Sequence, residues 1–119
     1  KMIFDHLNQP PISRQDKRWE GLMKEAAGHD YFYGKISGLG TAAGKGTDWT
    51  AGDLEPCVEF ALHHSGVDRC CCGGDWPVSL LAGTYGKTWT AYRTVIAKYL
   101  TPGDQDKILY RNATQFYAI

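Results

Sequence analysis

An α/β fold built on parallel strands is predicted by three features of the sequence. Short apolar or aromatic runs recur at Met2-Ile3-Phe4, from Tyr31 to Ile36, and at Cys70-Cys71-Cys72. Between and after them lie longer stretches whose apolar residues return at helical spacing, as in Trp19, Leu22, Met23 and Ala26. Each run also ends in a polar segment that carries glycine or proline. Alternating strands and helices imply parallel strands joined by right-handed crossovers, and in such proteins ligands bind at the carboxyl ends of the strands.

The 119 residues suffice for a single domain, 1–119, with one core. Thirteen basic and thirteen acidic side chains cancel, which leaves no electrostatic reason for nucleic acid or an anionic membrane as partner. No apolar run nears the roughly 20 residues of a membrane span, and the first residues lack a signal-peptide pattern, so a cytoplasmic protein is expected. Cys57 stands alone, whereas Cys70, Cys71 and Cys72 are consecutive. Neighbours on a strand point to opposite faces, so the trio cannot converge on one metal ion and reads as small buried hydrophobes.

The first strand opens at residue 2, as an element whose predecessor is missing, and runs into Asp5-His6-Leu7-Asn8-Gln9-Pro10-Pro11. Ser13 is the expected cap of a helix from Arg14 to Ala27, which Gly28 ends. The second strand leads into Ser37-Gly38-Leu39-Gly40, and residues 40–52 follow as a polar, glycine-rich segment long enough to be a binding loop. Its Gly44-Lys45-Gly46-Thr47 is similar to part of a phosphate loop but lacks the GxxxxGK[ST] spacing. Leu54, Cys57, Val58, Ala61 and Leu62 then give a second helix, with Pro56 expected in its first turn and His63 and His64 at its solvated end. Trp89, Tyr92, Ile96 and Tyr99 mark a third, from Tyr85 to Leu100. Thr101-Pro102-Gly103-Asp104 is a helix start, with Asp104 in capping-box position, and Asn112 is the expected cap of a last short turn.

Two residues lie where chemistry is expected. Asp75 is delivered to the mouth of the third strand by Gly73-Gly74, and His6 sits just past the first strand. Asp75 reads either as a catalytic acid or base or as an ordinary turn residue, and His6 either as its neighbour or as a loop histidine held by hydrogen bonds. Lys35, near the end of the second strand, faces either a substrate anion or a nearby carboxylate. Three helices on one face of three strands would leave the other face bare with two open edges, so a homo-oligomer is expected.

Asp5-His6-Leu7 with Pro10, Lys35-Ile36-Ser37-Gly38-Leu39, Gly74-Asp75-Trp76-Pro77, and Asn112-Ala113 with Phe116-Tyr117 resemble, in order and spacing, successive motifs of the amidohydrolase-related family of TIM-barrel hydrolases, which includes sugar lactonases. The resemblance spans the whole chain but only the C-terminal part of the family's domain. It implies a partial, half TIM barrel: the last three strand–helix units of eight, followed by C-terminal helices. It further implies that Asp75 is the general base on the attacking water or a metal ligand, and that His6 polarises the scissile carbonyl. Lys35, Ser37 and Trp76 are implied to bind a small-molecule substrate. Gly73 stands where the family usually has a hydroxyl residue.

The family's first strand carries a His-x-His pair, and none occurs here. His6 and Asp75 are too few for a catalytic zinc, so no metal or other cofactor is expected unless an N-terminal half supplies the pair or His29, His63 or His64 completes the site. Two functional readings follow. One is the C-terminal portion of a hydrolase of lactones or related cyclic esters, inactive without the N-terminal half. The other is a non-catalytic half-barrel that self-associates. A nucleotide-binding domain ranks below both, since no GxGxxG occurs.

Overall fold

The computed structural model describes all residues, 1–119. Three parallel strands, β1 (Met2–Phe4), β2 (Phe32–Ile36) and β3 (Cys70–Cys72), form one sheet in the order β1-β2-β3. Met2 pairs in register with Phe32 and Gly34 with Cys70, so β2 is central; β2 and β3 end together at Ile36 and Cys72, and β1 ends at Phe4, opposite Gly34. The helices are α1 (Lys17–Ala27), the single turn α2 (Leu39–Ala42), α3 (Ala51–Ser65), α4 (Tyr85–Tyr99), α5 (Pro102–Asp106) and α6 (Asn112–Tyr117), the last two joined by a π-type turn at Lys107–Arg111. The expected βα alternation is therefore present, as a portion of a barrel rather than a closed one.

Alternation along the strands decides what each face meets. Ile36, Cys70 and Cys72 join Met23 of α1, Leu54, Val58 and Ala61 of α3, and Tyr92, Val95 and Ile96 of α4 in one buried core. The opposite face is not bare, contrary to the sequence expectation. The chain turns back at α6 and sets the Phe116 ring 4.9 Å from that of Tyr33, with Lys35 Nζ 5.7 Å over the Tyr117 ring. Cys71, which alternates with its two neighbours, is accordingly only 3 % exposed. All four cysteines are buried free thiols.

Several element boundaries differ from expectation for local reasons. The cap of α1 is Asp16, not Ser13: its carboxylate accepts from Arg18 N at 2.9 Å and Trp19 N at 3.0 Å, satisfying two otherwise free donors. A Thr50–Asp53 capping box starts α3 at Ala51, which places Pro56 inside the helix beyond its first turn. Thr101 caps α5 as expected, accepting from Asp104 N at 3.3 Å, but the Asp104 carboxylate pairs with Lys107 instead of closing a capping box. Asn112 is not a cap. Its amide donates to Val67 O and Cys70 O, both at 2.7 Å, and so binds the C-terminal segment to the start of β3.

The glycine-rich segment is tied down from within. Trp49 is 2 % exposed and its indole N–H donates to Ala82 O at 2.7 Å, as a buried tryptophan requires. Arg69 ties the other end of the sheet by donating to Ala27 O at 2.8 Å, His29 O at 2.7 Å and Phe32 O at 3.2 Å. No helix is long and apolar enough to cross a membrane.

Candidate active site

The carboxyl ends of the three strands deliver the site. Past β1 the backbone makes a left-handed turn: His6, Leu7, Asn8 and Gln9 all have φ between 50 and 58°, closed by Gln9 N donating to His6 O at 2.9 Å. Left-handed backbone costs an L-residue roughly 1–2 kcal/mol, so something must hold it. Leu7 is fully buried, Trp19 Nε1 donates to Leu7 O at 2.8 Å, and His6 Nδ1 lies 2.8 Å from Ser37 Oγ. The turn swings the His6 ring inward over the end of β2.

Past β3, Asp75 is also left-handed, at φ 50°, and its carbonyl accepts from Ser79 N at 2.8 Å. This turn aims its carboxylate back toward His6, and His6 Nε2 stands 3.7 Å from Asp75 Oδ1. Gly38 lies beneath both. Its φ is +60°, and a Cβ there would sit 2.7 Å from His6 Nδ1 and 2.9 Å from Asp75 Oδ2, so the approach requires glycine.

His6 and Asp75 open onto a cleft of about 460 Å³ whose other walls include Gln9, Pro10, Pro11, Gly38, Thr41 and Val78. Pro10 and Pro11 also border a second hollow of about 360 Å³, walled by Trp19, Phe60 and Pro56. The glycine-rich segment therefore reaches the first cleft through Thr41 and Ala42 only.

The five residues expected to act divide into three groups. His6 and Asp75 line the cleft together. Ser37 is fully buried behind His6 and touches the ring instead of the cleft. Lys35 and Trp76 are outside the lining. Lys35 Nζ is 3.0 Å from Asp5 Oδ1; partial burial works against its charge, but the hydrogen bond and charge of Asp5 outweigh it and raise its pKa. Trp76, at 67 % exposed, points into solvent beyond a cis peptide bond to Pro77. Gly38, Gln9 and Thr41 were not singled out from sequence; the signal available for Gly38 was its place beside Ser37 at a strand end.

The residues present do not by themselves fit a metal ion. No three His, Cys, Asp or Glu side chains converge, whereas a catalytic zinc takes three protein ligands. His63 stacks edge-on against His64, and His29 packs against Tyr31 and Phe32.

Comparisons with known proteins agree with this fold. An L-fucono-1,5-lactonase of Burkholderia ambifaria is 35 % identical over all of this chain, which covers 42 % of that protein. An L-fucono-1,5-lactonase of Burkholderia multivorans is 28 % identical over 99 % of the chain and 43 % of that protein. Two crystal structures of an amidohydrolase from Burkholderia multivorans superpose on it. One, with bound HEPES, has a TM-score of 0.88 and 29 % identity over 98 % of this chain and 44 % of that one. The other, with bound zinc, has a TM-score of 0.86 and 30 % identity over 96 % and 42 %. The chain thus spans less than half the length of these relatives. The amidohydrolase family matches residues 1–119 without a break, and the chain belongs to that family.

Proposed function

We propose that this chain is the C-terminal part of a lactone hydrolase and carries its water-activating and carbonyl-polarising groups. The observation that supports this reading is the meeting of His6 and Asp75, 3.7 Å apart, in an open cleft at the strand ends. Asp75 takes a proton from water as the oxygen attacks the lactone carbonyl. His6 donates a hydrogen bond to the carbonyl oxygen as it becomes an oxyanion. When the tetrahedral intermediate collapses, the ring C–O bond breaks and the departing alkoxide takes the proton back from Asp75, leaving the open hydroxy acid. No step in this sequence passes through a metal. The names of the two lactonase relatives point to a sugar 1,5-lactone as substrate, and the reaction needs the remainder of the barrel to close the pocket.

A chimera tests this. This chain replaces the matching segment of the Burkholderia ambifaria lactonase, and proton release from L-fucono-1,5-lactone is followed. The expected result is hydrolysis that falls at least about 100-fold in Asp75→Asn. A folded chimera inactive on that lactone, or one unaffected by Asp75→Asn, overturns the reading.

The outer edges of β1 and β3, which pair with no further strand, favour a second reading, in which copies of the chain associate through their edges without catalysis. Light scattering on the purified chain tests it, and a monomer at micromolar concentration refutes it.

A further inference from the structure

We propose that Ser37 is a positioning residue that keeps the His6 proton on Nε2, so that His6 meets the cleft as a hydrogen-bond donor and not as a metal ligand. The argument starts from the serine. Its side chain is fully buried, and its hydroxyl has one hydrogen bond, the 2.8 Å contact with His6 Nδ1. A hydroxyl carries one proton and two lone pairs. Were Nδ1 protonated, it would donate to Ser37 Oγ and leave the serine proton buried without an acceptor, an arrangement proteins avoid. With Nδ1 bare, the serine proton is satisfied and the histidine proton lies on Nε2.

The far side of the ring points the same way. Nε2 faces Asp75 Oδ1 at 3.7 Å, and a carboxylate oxygen attracts an N–H but repels a bare nitrogen lone pair. Gly38 leaves room for this pose, because any Cβ there would collide with Nδ1 and with Asp75 Oδ2. Both nitrogens are therefore assigned by independent neighbours. The consequence is chemical. Nε2–H has no lone pair for a cation, and moving the proton to Nδ1 to create one would orphan the Ser37 hydroxyl. The family's structural relatives include one with bound zinc, yet His6 in this chain is built to donate a proton-bearing edge.

This deepens the proposed function and draws its role at the carbonyl from it; the tautomer itself is measured without turnover. The full chain is labelled with 15N in its imidazoles and held about two pH units above the ordinary histidine pKa. Two-bond proton–nitrogen correlations are recorded, and His6 is identified by the signals lost in His6→Gln. The expected result is a protonated Nε2 and an Nδ1 whose resonance is displaced by an incoming hydrogen bond. Ser37→Ala should return Nδ1 toward its unbonded position and Ser37→Thr should restore the displacement. Added zinc ion should leave the His6 signals in place.

A protonated Nδ1 in the native chain overturns the proposal, as does an Nδ1 signal indifferent to Ser37→Ala or a His6 that ligates zinc through Nε2. If Ser37→Ala does not fold, the native spectrum and the threonine variant still decide. An inactive chimera with Nε2–H intact would refute the lactonase reading and leave the tautomer standing.

Discussion

His6 and Asp75 come from the two outer strands of the sheet and meet over the end of the middle one, with Nε2 and Oδ1 3.7 Å apart. The middle strand makes room by running on into Ser37 and Gly38, one small and buried, the other without a side chain. The site is thus a bridge across β2, and its span is set by what β2 does not carry.

Gly38→Ala should break that bridge. The new methyl would meet His6 Nδ1 and Asp75 Oδ2 below 3 Å, at a φ that costs a non-glycine residue roughly 1 kcal/mol or more. Chemical denaturation should show a loss of about 1–3 kcal/mol. Chimera activity should fall by about 100-fold, the usual effect of displacing reacting groups by an ångström. An active, fully stable variant would contradict the close-approach argument.

Gln9→Gly should stabilise the protein. Gln9 is exposed and left-handed at φ 52°, so glycine relieves backbone strain while giving up some of the gain through a freer unfolded chain. A net rise of about 0.5 kcal/mol or more in urea denaturation is expected. A loss would mean that the Gln9 side chain contributes more than its backbone costs.

At Asn112 two variants should rank in a set order. Asn112→Ala leaves Val67 O and Cys70 O without donors and should cost about 2–3 kcal/mol. Asn112→Asp places a carboxylate against the same two carbonyls and should cost more. Equal stability of the two variants would show that the amide bonds are not what holds α6 to β3.

Alkaline pH should destabilise the fold through its buried thiols. Burial pushes Cys57 and Cys70 up from 9.0 to about 12, because a thiolate is poorly solvated there. Above about pH 9 the unfolded chain releases thiol protons that the native chain retains, so stability falls as pH rises. It is fully present below pH 9 and is lost as pH rises through about 12. The urea midpoint should therefore decline above about pH 9, and less steeply in Cys57→Ala. An unchanged slope in that variant would locate the alkaline loss elsewhere.

The sheet, its helices and the two cleft residues could be read from sequence because each depends on local pattern: an apolar run, a helical period, an acid or histidine just past a strand. Where Ser37 and Lys35 point could not, since that depends on partners distant in sequence. Lys35 turns to Asp5, and Ser37 turns inward because a left-handed turn brings His6 to it. No periodicity announces four successive non-glycine residues with positive φ. The anchored loop carried a signal of another kind: Trp49 in a glycine-rich stretch has an indole that, once buried, demands an acceptor, and it finds Ala82 O. Asn112 looked like a cap because asparagine so often is one, whereas its amide serves the backbone of β3 beyond the reach of local pattern.

Pro10 and Pro11 border both the cleft of His6 and Asp75 and the hollow walled by Trp19 and Phe60. They are a party wall between two rooms, stiffened by pyrrolidine rings that fix the backbone φ. A ligand or substitution that presses on Pro10 or Pro11 from the outer hollow therefore presses on the wall beside His6 and Asp75 as well.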